Sequence, residues 1–185
     1  MTQALVVIDV QNEYVTGALP IVHPPVEESL SRISASIDAA AAHGIPVVLV
    51  RHSETDETGG MFVRGTPAWE LHESVASRPH DVVVDKTLPG SFTGTPLEGI
   101  LDEAGIDTVA ITGYMTHMCV DTTSRQAAHR GLAVEILNDA TGTLALSNSG
   151  GSAGGEELHR STLVAQGQFF ADVLSTDDWL ARIGD

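Results

Sequence analysis

Three side chains that could together run nucleophilic catalysis stand at the ends of three strand-like runs. ALVVID closes on Asp9, VVVDK closes on Lys86, and TVAITG runs to Gly113 just ahead of THMC, which carries the chain's one cysteine, Cys119. A thiol becomes a strong nucleophile once it gives up its proton. A carboxylate beside it can take that proton and hand it to a leaving amine, and an ammonium can lower the thiol's pKa and hold the carboxylate ionised. At the carboxyl ends of parallel strands the three would meet in the crevice where open α/β sheets bind ligands. Each residue also has a plainer use: a small core hydrophobe for Cys119, a turn cap for Asp9, a solvated surface charge for Lys86. Their grouping at three strand ends favours an enzyme.

Positioning such a set needs a sheet, and the chain alternates strand-like with helix-like segments. Ala4 to Asp9 is nearly all apolar, as a strand buried on both faces is. From Pro25 to His43, Val26, Leu30, Ile33 and Ile37 form one helical stripe, closed by Gly44. PVVLVR gives a second strand, and His52 to Leu71 a long loop with one helical turn around Trp69. VVVDK is the third strand, Pro96 to Ala104 a helix, and TVAITG the fourth strand. A helix follows from Thr116 to Arg130, with Thr116 as its expected N-cap and Cys119 in its first turn. There the positive end of the helix would stabilise a thiolate, and free N–H groups could hold an oxyanion. AVEILN is the fifth strand, Leu146 to Gly155 a flexible glycine- and serine-rich loop, and Glu156 to Gln168 and Asp177 to Ile183 close the chain as helices. The expectation is one α/β domain over 1–185, a parallel sheet covered by helices on both faces.

Composition narrows the function. The 185 residues are 42% hydrophobic and 18% charged, with a net charge of −16 and only nine Lys and Arg. Such acidity excludes most nucleic-acid and anionic-membrane partners, which need clustered basic residues. A single cysteine forms no internal disulfide and suits a reducing compartment. The start, MTQALVVIDVQ, has neither the basic stretch nor the cleavage site of a signal peptide. A cytoplasmic protein acting on a small molecule is expected. Eight histidines are scattered without HExxH, and no CxxC, GxGxxG or P-loop occurs, so no metal or other cofactor is expected. His117, two residues before Cys119, either lines the site or faces solvent.

The runs IDVQNEY (Ile8 to Tyr14), DKTLPGSFTGTPLEGIL (Asp85 to Leu101) and GYMTHMCVDTTSRQAAHRG (Gly113 to Gly131), followed by NDA, resemble the isochorismatase-like cysteine hydrolases, over roughly residues 4–170. The resemblance implies a Rossmann-like three-layer sandwich with a parallel sheet of about six strands. It implies a catalytic triad of Asp9, Lys86 and Cys119, with Cys119 as nucleophile, Asp9 as proton carrier and Lys86 stabilising the thiolate. It also implies a cis peptide between Tyr114 and Met115, aiming the Met115 and Cys119 N–H groups at the oxyanion. It puts Gln11 close to the triad and implies a homodimer or larger homo-oligomer. The nicotinamidase branch adds an Asp-x-His metal set after the second strand, which His52 and His72 do not reproduce. Relatives that cleave a vinyl ether often lack the cysteine, so Cys119 points instead to an amide or ureido C–N bond. Vinyl ether hydrolysis and a non-catalytic binding role remain alternatives. Loop residues would form the substrate pocket: Tyr14, Met61, Phe62, Tyr114 and His117, with Trp69 and Phe92 as apolar contacts or simply as core.

Overall fold

In this computed structural model, which describes residues 2–55 and 60–184, the expected alternation is realised. In chain order the elements are β1 (Gln3–Ile8), α1 (Val26–Ala42), β2 (Val47–His52), a short α2 (Glu73–Ala76), β3 (Val82–Lys86), α3 (Leu97–Glu103), β4 (Thr108–Tyr114), a π-helical turn (Thr116–Val120), α4 (Asp121–His129), β5 (Ala133–Gly142), β6 (Leu146–Asn148), β7 (Gly151–Ala153), α5 (Gly155–Phe169), β8 (Asp172–Leu174) and α6 (Thr176–Gly184). Six strands form one sheet in the order β3-β2-β1-β4-β5-β8, every neighbour parallel. β1 lies inside it, flanked by β2 and β4.

Side chains of successive strand residues point to opposite faces, and β1 divides accordingly. Leu5 and Val7 join Ile33 and Ile37 of α1 and Trp179 of α6 in one core. Ala4, Val6 and Ile8 join Leu97 and Leu101 of α3, Ala127 of α4 and Leu163 of α5 in the other. Helices thus cover both faces, which is the three-layer architecture. Each Leu, Ile and Val among these side chains contributes roughly 1.5–3 kcal/mol by leaving water.

Some segments differ from expectation. Leu146 to Gly155, read as a flexible loop, contains the antiparallel β6–β7 hairpin. Thr116 does not cap the helix after β4. Met115 occupies the cap position, the first turn is π-helical, and the Thr116 hydroxyl is 2.8 Å from His159 Nδ1 instead. Of the segment expected as a loop from His52 to Leu71, His52 is the last residue of β2 and Leu71 bridges to Gln11, while the chain between them is a loop wherever it is described, residues 56–59 lying outside the described residues. The turn near Trp69 is present, with its N–H and that of Glu70 both donating to the Thr66 carbonyl. No helix among the described residues is long and apolar enough to cross a membrane.

Candidate active site

β1, β3 and the turn after β4 bring Asp9, Lys86 and Cys119 together. Asp9 follows the last residue of β1 with φ of 52°, a left-handed conformation that Asp tolerates better than most residues. Gly113, with φ of 106°, lies so close to β1 that a Cβ there would be 2.0 Å from the Ile8 carbonyl oxygen. Glycine is what lets β4 come alongside the end of β1 before the chain passes through the cis Tyr114–Met115 peptide into the π-helical turn.

Lys86 joins the set. Its Nζ is 2.7 Å from Asp9 Oδ2 and 3.4 Å from Cys119 Sγ, and both charged side chains are 0% exposed. The other carboxylate oxygen, Asp9 Oδ1, is buried and meets no hydrogen-bond donor among the described residues. Burial opposes the Lys86 charge, but Asp9 and Cys119 outweigh it and raise the ammonium's pKa. The thiol goes the other way from the sequence expectation. Burial and then the Asp9 charge push Cys119 well up, and the downward pull of Lys86 is smaller than either. The arrangement is an ion pair beside a thiol whose burial and carboxylate neighbour favour its neutral form.

Aromatic rings wall this site. Tyr14 lies 5.2 Å from Phe62 and 5.7 Å from Tyr114, centroid to centroid. Its phenol is held neutral, raised by burial and then by Cys119, Asp9 and Glu13, which sets it in the same neighbourhood as the triad. The Tyr114 hydroxyl turns toward α1 and is 2.8 Å from Ser29 Oγ. Met115 is buried beneath the turn, its carbonyl accepting from Met118 and Val120. Gln11 uses its whole amide on backbone: Nε2 donates to the His52 and Trp69 carbonyls, and Oε1 accepts from the His52 N–H. It ties the loop after β2 to the end of β1.

Trp69 is buried under Arg51, whose guanidinium carbon is 3.8 Å from the ring centroid, and its Nε1 donates to Ser53 Oγ. Phe92 is not brought to the triad. It packs in the α3–α4 layer with Arg130 over its ring, lining a small outer cavity with Glu98 and Leu101. His117 Nδ1 is 2.6 Å from Thr143 Oγ1, while its Nε2 is buried without a partner. Burial lowers its pKa, Asp121 only partly offsetting this.

A family model described as the isochorismatase domain matches residues 3–178. The chain belongs to the isochorismatase family. Among isochorismatase-family proteins, an uncharacterized one of Bacillus subtilis, YddQ, is 32% identical over 97% of this chain and 99% of its own. The ureidoacrylate amidohydrolase RutB of Methylobacterium radiotolerans is 28% identical, over 99% of this chain and 80% of its own. The crystal structure of a putative isochorismatase from Burkholderia xenovorans LB400 superposes with a TM-score of 0.96 at 49% identity, over 99% of this chain and 88% of that one. The protein is thus an isochorismatase-family cysteine hydrolase.

Two neighbours of this isochorismatase-family site escaped the sequence reading. His52 Nδ1 is 3.3 Å from Lys86 Nζ, and its ring meets Phe62 edge-on at 5.1 Å. His159 holds Thr116 at the start of the cysteine's turn, and burial followed by the nearby His23 lowers its pKa to about 4. Neither belongs to a local motif; only strand register and helix packing bring them in. Among the described residues no cluster of three His, Cys, Asp or Glu has the arrangement to hold a metal ion.

Proposed function

We propose that the protein hydrolyses a small amide or ureido C–N bond through a thioester. The observation carrying this reading is the Lys86 ammonium lying between the Asp9 carboxylate and the Cys119 sulfur, all three out of water. Asp9 takes the thiol proton as Sγ bonds to the substrate carbonyl carbon, and the Met115 and Cys119 N–H groups receive the oxyanion. The C–N bond then breaks, Asp9 giving its proton to the departing nitrogen. Water, deprotonated by Asp9, attacks the thioester and releases the acid, and the proton on Asp9 returns to the sulfur. Lys86 remains charged throughout and offsets the negative charge as it moves between oxygen and sulfur.

The amidohydrolase activity named for RutB supports a C–N substrate. Tyr14, Phe62, Trp69 and His117 are the proposed pocket side chains, with Gln11 shaping the loop around them. The protein is proposed to act in the cytoplasm, where its lone thiol stays reduced, and as a homodimer or larger homo-oligomer, which light scattering after size exclusion would test.

The functional test is ammonia release across a panel of small amides and ureido acids by the wild type and Cys119→Ala. Turnover lost by at least 1,000-fold in the variant is expected. A vinyl ether substrate such as isochorismate, cleaved equally by both proteins, would overturn the amide reading. No turnover on either class, with an inert thiol, would favour a binding role.

A further inference from the structure

An ammonium carries three N–H donors, and away from water each needs an acceptor. Two of the Lys86 acceptors belong to the triad. The third is His52 Nδ1, at 3.3 Å. His52 is the last residue of β2 and pairs in register with Lys86 at the end of β3. Its backbone N–H and C=O are both held by the Gln11 amide, and Phe62 covers the ring. On the far side of the ring, Nε2 lies 3.6 Å from Glu54 Oε1.

We infer that His52 is a positioning residue for the amide hydrolysis proposed above: its unprotonated Nδ1 takes the third Lys86 N–H and holds the ammonium between Asp9 and Cys119. This rests on the triad reading and names a member the triad lacks. With only two acceptors, the lysine head would swing toward the carboxylate, the stronger of the pair, and away from the sulfur. Three acceptors in fixed directions leave it no such freedom.

The role requires a neutral ring with its proton on Nε2, and the surroundings favour that form. Burial and then Lys86 on β3 lower the His52 pKa, against a smaller rise from Asp9 on β1 and Glu54 on its own loop. Protonating His52 would turn the acceptor into a donor and set a second cation against Lys86. The site would loosen on the acid side without any change at Asp9.

The test combines nitrogen-15 spectroscopy of the histidines with the pH dependence of Cys119 alkylation by iodoacetamide. The proteins are the wild type, His52→Asn, His52→Leu, Lys86→Ala and the His52→Leu/Lys86→Ala double variant. Asn presents an oxygen near the position of Nδ1 and does not titrate. In the wild type at neutral pH, His52 should show a bare Nδ1 and a protonated Nε2, and its pKa should rise in Lys86→Ala. His52→Leu should slow alkylation at a fixed pH by roughly tenfold, with His52→Asn restoring most of the rate. In the Lys86→Ala background His52→Leu should add nothing.

An Nδ1–H tautomer in the wild type overturns the proposal whether or not any variant folds. So does a His52→Leu effect that is equally large without Lys86. If Lys86→Ala slows alkylation and His52→Leu does not, His52 loses its role and the triad stands. If Lys86→Ala itself matches the wild type, the triad reading and this proposal fall together.

Discussion

Lys86 and Asp9 are both shut away from water, and neither charge would survive there without the other. Their coupling to a thiol whose pKa is pushed up leads to a counter-intuitive expectation. Asp9→Asn keeps the shape and tolerates the left-handed φ, but removes the anion that raises Cys119. Lys86 then lacks a counter-charge, and the thiolate becomes its best partner. The pH midpoint of iodoacetamide alkylation should fall below the wild-type value by a unit or so, while amide turnover disappears with the base. Lys86→Ala should move the midpoint upward. A midpoint that rises in Asp9→Asn would mean that the carboxylate does not act on the sulfur through charge.

At the level of elements, the site depends on β4 lying flush against the end of β1. Gly113→Ala introduces a methyl group that meets the Ile8 backbone and strains a φ of 106°. The expected loss is about 3 kcal/mol or more, read as a lower urea midpoint, with turnover lost in whatever remains folded. The grouping of the site was visible in the sequence, because β1, β3 and β4 are short runs rich in apolar residues with Asp9, Lys86 and Cys119 set at or just past their ends. His52 was not. Its contact with Lys86 follows from the β2–β3 register, and a register between two valine-rich strands leaves no local trace. β6, β7 and β8 have three residues each, too few for any periodicity to emerge. Residue chemistry reached the grouping and possible roles for its members; the family resemblance added the cis peptide and the place of Gln11. For Phe92 the sequence left open a pocket contact or a place in the core, and packing against α3 and α4 under Arg130 favours the core.

For the whole molecule, acid is the condition to watch. His52, His117 and His159 all have pKa values below the ordinary histidine value, with burial the leading cause in each. Groups lowered in this way add stability that is fully present above pH 6.5 and is lost as the pH falls through their folded values. For His159, lowered to about 4, that loss would run down to about pH 4. Tm should therefore fall between pH 6.5 and 4, and His159→Asn, which keeps an acceptor for Thr116, should flatten that fall. An unchanged slope would mean that His159 is not held neutral by the fold. The sole cysteine has one more consequence, for spectroscopists. At 5% exposure Cys119 should admit small reagents more readily than large ones. A cysteine engineered in place of Phe169, which is 89% exposed on α5, should take up a bulky maleimide dye while the native thiol stays dark. The protein can thus be tagged for single-molecule fluorescence without first removing the residue proposed as its nucleophile.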